Sequence, residues 1–241
     1  MTGTAVSPST PALQLAQLHA WYGDSHVLHG VDLEVQRGEL VSLLGRNGSG
    51  RSTTLKSIVR LVDRTEGSIR IHGVAVERAA AHQVARQGVG YCPEERGIFT
   101  ALTTRENLDL LPRLGHGGMA IEQIYTMFPN LRERAASMAG KLSGGEQQML
   151  AMARILRTGA SILLLDEITE GLAPVIVDRL ADVTRALKEL GYTILMVEQN
   201  LQFVQDIADR HYVMESGRIV DTVSNAELAS KRATIDRLLS V

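Results

Sequence analysis

The chain has 241 residues, 25 of them basic and 27 acidic, for a formal net charge of −2. With no basic surplus, neither nucleic acid nor an anionic membrane surface is expected as its main partner. The single cysteine, Cys92, excludes an internal disulfide, and no apolar run reaches the roughly 18–20 residues that a membrane-spanning helix needs.

Met1 to Ala12 is rich in Ser, Thr and Pro and has neither a basic start nor an apolar stretch. It reads as a flexible tail rather than a signal peptide, and residues 13–241 read as one domain with lobes. Aromatic residues make up only 4% of the chain, so the core of that domain is built from Leu, Ile, Val, Met and Ala. Val31 to Val35 alternates apolar and polar as a half-buried strand does. Glu39 to Leu44 is a more continuous apolar run, typical of a strand buried on both faces. Ser52 to Val62 has helical spacing, and Ser68 to His72, closed by Gly73, is another alternating strand. From about residue 100 to 157 strand signals fade and helical ones dominate. Ser161 to Leu165 is again an apolar strand, Val177 to Leu190 a helix and Tyr192 to Val197 a strand. Tyr212 to Glu215 and Arg218 to Asp221 flank Ser216-Gly217 as a hairpin. Buried strands alternating with helices predict an α/β fold with a parallel sheet. The early alternating strands add an antiparallel layer, and the helical middle is an insertion into the core.

Between the second strand and its helix stands Gly45-Arg46-Asn47-Gly48-Ser49-Gly50-Arg51-Ser52, followed by Thr53. This strand–loop–helix segment fits the P-loop pattern, in which glycines turn backbone N–H groups onto phosphate oxygens at a helix N-terminus. Ser52 is placed to put its hydroxyl on Mg²⁺. The departure is Arg51, where the pattern has lysine; a planar fork replaces a point charge. A glycine-rich turn without a ligand is the alternative reading. The strand Ile162 to Leu165 ends in Asp166 and Glu167. Acids at the carboxyl end of a buried strand lie where such sheets bind ligands; Asp166 is expected in the Mg²⁺ shell and Glu167 as the base for an attacking water. A solvated acidic turn is the alternative.

Leu142-Ser143-Gly144-Gly145-Glu146-Gln147-Gln148 has capping-box spacing between Ser143 and Glu146. A cap does not explain two consecutive glycines, which weaken a helix start unless backbone must approach something closely. This stretch resembles the signature motif of ABC ATPases, and nearly all of the chain beyond the tail follows the order of that family. The resemblance implies a P-loop NTPase (RecA-like) core carrying an antiparallel β subdomain and an inserted α-helical subdomain. It implies ATP and Mg²⁺ as ligands, and a head-to-tail dimer in which Ser143, Gly144, Gly145 and Glu146 close over ATP held by the partner's P-loop. Residue by residue, Tyr22 takes the place of an adenine-stacking aromatic, with Trp21 as its rival. Glu94 stands where most members have a metal-binding glutamine, and Gln199 where most have histidine. Glu170-Gly171-Leu172-Ala173 lacks the usual final aspartate, and Ile168 replaces a common proline. Gln199 can donate a hydrogen bond to the terminal phosphate but cannot carry histidine's proton. With Glu167 present, the site is expected to hydrolyse ATP despite Arg51, Glu94 and Gln199.

The combination of Pro93-Glu94 with Phe99, Glu170 to Pro174 and Val197 to Asn200 resembles an ATPase subunit of branched-chain (hydrophobic) amino acid importers, with urea and amide importers similar. That implies a second ATPase subunit, integral-membrane permeases, a periplasmic binding protein acting indirectly, and a peripheral place on the cytoplasmic side of the membrane. The rival functions are an ABC ATPase of lipid export or of a soluble assembly machine, and a non-hydrolytic nucleotide-sensing module.

Overall fold

The computed structural model describes residues 10–114 and 117–239. The flexible tail expected at the N-terminus lies outside the described residues as far as position 9; Ala12 is buried, and its N–H already bonds to Val35. Along the chain come β1 (Leu13–Tyr22), β2 (Ser25–Val35), β3 (Leu40–Gly45), α1 (Arg51–Ile58), β4 (Arg64–Ile71), β5 (Val74–Ala75), α2 (Ala81–Arg86) and β6 (Val89–Cys92). Helices follow: α3 (Thr104–Leu110), α4 (Ile121–Met127), α5 (Pro129–Glu133), a 3₁₀ turn (Ala139–Lys141) and α6 (Gly144–Thr158). The last part holds β7 (Ile162–Asp166), α7 (Pro174–Glu189), β8 (Thr193–Glu198), α8 (Leu201–Gln205), β9 (Arg210–Glu215), β10 (Arg218–Ser224) and α9 (Asn225–Leu239).

The strands form two sheets. An antiparallel sheet has the order β2-β1-β4-β5, and a larger one the order β10-β9-β3-β8-β7-β6. In the larger sheet β3 runs parallel to both β8 and β9, and β6, β7 and β8 are parallel neighbours; only β10 is antiparallel. Every residue of β3, β7 and β8 is buried, the condition for central strands covered on both faces. One core lies between the two sheets and around α1, with Leu18, Leu28, Leu43, Leu55 and Ile69. The other packs the opposite face of the large sheet against the helices, with Leu44, Leu163, Leu150, Leu156 and Leu187.

Two elements end earlier than the sequence spacing predicts. The helix expected to reach Val62 stops at Ile58. Arg60 adopts φ +63°, and the Leu61 N–H closes on the Lys56 carbonyl, a left-handed exit of the kind that satisfies terminal carbonyls. The strand expected to include His72 ends at Ile71, because His72 itself takes φ +51° in the turn to β5. Among the described residues no helix is long and apolar enough to cross a membrane.

Candidate functional site

The site is built at the carboxyl ends of β3, β7 and β8, where three buried neighbouring strands deliver their following residues to one edge of the sheet. β3 runs into the glycine-rich loop. Gly50, the residue before α1, has φ +106°, a conformation that side chains resist; it has no side-chain cap, so the first N–H groups of α1 stay free for a ligand. The loop borders a cleft of ≈ 330 Å³ lined by Asn47, Gly48, Gly50, Arg51, Ser52 and Thr53 together with Val27, Glu94, Glu167 and Glu170. Gly45, Arg46 and Ser49 complete the loop behind it. The Ser49 carbonyl accepts a hydrogen bond from Gly217 at the tip of the β9–β10 hairpin (2.8 Å).

The acids at the end of β7 take different partners. Asp166 is buried and accepts from Ser52 Oγ (2.8 Å) and from the Tyr91 hydroxyl (2.9 Å). Both donors are uncharged, so its own charge is left for a cation, and burial pushes its pKa up. Glu167 sits one step further at φ +47°, with its N–H on the Val197 carbonyl (2.9 Å). A non-glycine residue in that region stores strain, and such residues concentrate at functional sites. Glu167 accepts from Arg51 Nη2 at 2.6 Å. Burial nevertheless raises its pKa to about 7, against the pull of the Arg51 charge and with help from Glu170 and Glu94. A carboxylate poised there suits a general base working near neutrality.

Asn47 is a hub that the loop motif did not announce. Its Oδ1 accepts from Arg51 Nη2 (3.1 Å) and from Gln199 Nε2. The loop, the arginine and the residue after β8 are thereby joined. Glu94 stands at the mouth of the cleft, exposed, with its pKa raised by partial burial and by Glu170, Glu95 and Asp166. Ser52, Asp166 and Glu94 offer the hard oxygen donors that suit Mg²⁺. Among the described residues no cluster of three or more His, Cys, Asp and Glu is placed to hold a metal.

A family model described as "ABC transporter" matches residues 28–170, more than half of the chain and the stretch that carries the glycine-rich loop, Glu94, Asp166 and Glu167. The chain belongs to the ABC transporter family. The cassette is 36% identical over 236 residues to the high-affinity branched-chain amino acid transport ATP-binding protein BraG of Pseudomonas aeruginosa, across 94% of this chain and 99% of that protein. It superposes on a nucleotide-free ATP-binding cassette of an ABC transporter with a TM-score of 0.79 at 21% identity, across 95% of this chain and 98% of the other. It also matches a dimeric, post-hydrolysis cassette bound to ADP and phosphate, with a TM-score of 0.76 at 23% identity, across 88% of this chain and 98% of the other. The cassette is an ATPase with the α/β architecture of those neighbours.

The signature residues lie elsewhere in the cassette. Ser143 caps α6: its hydroxyl accepts from the Glu146 N–H (3.3 Å), and its own N–H donates to Glu146 Oε2 (2.8 Å). Ser143 and Glu146 border a separate hollow of ≈ 700 Å³ with Pro129, Val175 and Arg179, and they do not line the P-loop cleft. A side-chain carbon on Gly145 would lie 2.7 Å from Ile176 Cγ2. The second glycine therefore has a reason inside the chain: α6 and the start of α7 touch there. Tyr22 is 38% exposed at the end of β1. Trp21, on the opposite face, is already sandwiched, stacked on His26 at 4.2 Å and capped by the Arg64 guanidinium at 4.1 Å. Among the described residues no stacking or cation contact falls on the Tyr22 ring.

One residue of the site escaped the motifs. Glu198, 2% exposed, accepts from the Thr169 N–H (3.1 Å) and Thr169 Oγ1 (2.8 Å). It ties the end of β8 to the loop that follows Glu167. Its only sequence signal was its place beside Gln199.

Proposed function

We propose that this cassette is the ATP-hydrolysing subunit of an importer for branched-chain or other hydrophobic amino acids. The observation that carries hydrolysis is the convergence of Arg51, Ser52 and Glu167 on one cleft at the helix start, with Asp166 hydrogen-bonded behind Ser52. The substrate class rests on the likeness to BraG, which spans nearly the whole of both chains.

The loop from Gly45 to Ser52, with Thr53, holds the phosphates through backbone N–H groups, and Arg51 adds charge. Tyr22 stacks on the adenine. Ser52, Asp166 and Glu94 would hold Mg²⁺, which would supply positive charge against the phosphates. Glu167 orients the attacking water and takes its proton as the bond to the terminal phosphoryl group breaks, leaving ADP and phosphate. Gln199, held by Asn47, donates a hydrogen bond to the transferred group. Ser143, Gly144, Gly145 and Glu146 serve the ATP of a second subunit, identical or different, and the dimer works at the cytoplasmic face of the membrane on permease subunits.

The permease contact falls at the loop after Glu94. A hollow of ≈ 370 Å³ opens there between Leu61, Pro93, Arg96, Leu111 and Arg154, and Phe99 beside it is 46% exposed under the Arg154 guanidinium. Cysteines placed around Phe99 should cross-link to a membrane chain; the absence of any link would move the contact elsewhere. The central test is ATP turnover by the purified chain with Glu167→Gln as control. Turnover that the control abolishes is expected. Turnover that survives Glu167→Gln would remove that residue from the chemistry.

A further inference from the structure

Arg51 is 3% exposed and its ion-pair partner Glu167 only 11%, so both charges are held out of bulk water. All of the hydrogen bonds described for the guanidinium fall on one nitrogen: Nη2 donates to Glu167 Oε1 at 2.6 Å and to Asn47 Oδ1 at 3.1 Å. The other terminal nitrogen, Nη1, is buried without a hydrogen-bond partner among the described residues, although Arg51 lines the cleft. A buried charged donor left unpaired is costly, and a protein retains one where an acceptor arrives in function.

We propose that Arg51 is a bridge: Nη2 keeps the carboxylate of Glu167 while Nη1 takes an oxygen of the terminal phosphate, so the arginine positions the base against the group it attacks. This rests on reading the cleft as the ATP site. The two edges of the fork make the bridge possible, because a lysine ammonium would have to share one nitrogen between carboxylate and phosphate. The bridge also answers an electrostatic problem. Glu167 and a phosphate would repel each other across a few ångströms, and a cation lying between them removes that repulsion. Asn47 fixes the edge on which Glu167 sits, and Gln199 fixes Asn47. The substitution that looks like a handicap in the loop is on this view what aligns the base.

The test is a double-mutant cycle of Arg51→Lys and Glu167→Gln, read as melting temperature with and without the β,γ-imido analogue of ATP and Mg²⁺. Affinity for a fluorescent ATP analogue and turnover are measured beside it. The two substitutions should be non-additive without nucleotide, and the non-additivity should persist when the analogue is saturating. Arg51→Lys should keep analogue affinity within about tenfold, ~1.4 kcal/mol, and lose most of its turnover. Non-additivity that vanishes with the analogue bound would mean that phosphate displaces Glu167, and would overturn the bridge. Faster turnover in Arg51→Lys than in the parent would overturn it too. If the analogue neither raises the parent's melting temperature nor displaces the fluorescent probe, the nucleotide site itself fails, and the bridge with it.

Discussion

Glu198 shows how a residue outside the chemistry can set the conditions for it. Burial raises its pKa from 4.5 to about 7 despite the two hydrogen bonds from Thr169. A carboxyl group that binds its proton more tightly folded than unfolded stabilises the fold fully below the unfolded pKa, and that contribution is lost as pH rises through the folded value. The melting temperature should therefore carry a component that falls between about pH 4.5 and 7. Comparing the parent with Glu198→Gln isolates it, since a neutral amide of the same size has no proton to lose; thermal denaturation across that interval should show a flatter profile in the variant. Asn47 carries a second prediction at this scale. Asn47→Ala removes the acceptor shared by Arg51 and Gln199 and should lower turnover about tenfold, ~1.4 kcal/mol, with the melting temperature little changed because Asn47 is exposed. Steady-state kinetics and melting curves on the same sample check both halves. Gly45 to Ser52 and Asp166-Glu167 were legible because each is a contiguous string whose chemistry is local. The partners of Asn47 and Glu198 were not: Gln199 lies 152 positions from Asn47, and no spacing rule joins them.

At the scale of elements, the signature helix shows two demands met by one glycine. Gly145 lies in the first turn of α6, where the Ser143–Glu146 cap fixes the helix start, and its hydrogen faces the β-branched Ile176 near the start of α7. Gly145→Ala should destabilise the cassette by ~1–3 kcal/mol through overpacking. Adding Ile176→Ala should recover part of the loss, as chemical denaturation of the single and double variants would show. A double variant as unstable as Gly145→Ala would refute that contact as the cause. Elements with continuous apolar runs, β3, β7 and β8, were legible because burial on both faces leaves a plain compositional mark. β1 left no such mark. Its alternation is broken where the register shifts between Leu15 and Leu18, and Gln17 there takes φ +48°; a bulge of this kind puts the next apolar residue out of phase. β6 is four residues long and includes a glycine, too short for a period to register.

For the whole molecule the separation of the P-loop cleft from the signature hollow decides how activity is tested. On the function proposed above, each cassette holds half of two sites rather than the whole of one. Mixing Ser143→Arg chains with Glu167→Gln chains should restore turnover that neither has alone: the intact base of the first then faces the intact signature of the second. Activity measured against mixing ratio checks this, and no recovery at any ratio would mean that the functional pair is made with a different subunit. The α/β alternation and its helical insertion could be read from the order of elements, but the pairing of cassettes came from likeness to known families, because one chain's residues do not state what closes over them.

The contact between the β9–β10 hairpin and the P-loop has a consequence for how the protein is made. The loop is synthesised early, yet Gly217 donates to Ser49 and accepts from His29, and β3 lies between β8 and β9. The strands on either side of β3 and the tip that supports its loop all come from the last quarter of the chain. Domains begin to assemble from the N-terminus as the ribosome extends them, but this nucleotide site is finished only when the hairpin has emerged. A growing chain thus carries its phosphate loop in an unsupported form until β8, β9 and the hairpin have followed it, and acquires its hold on ATP with them rather than when the loop itself is made.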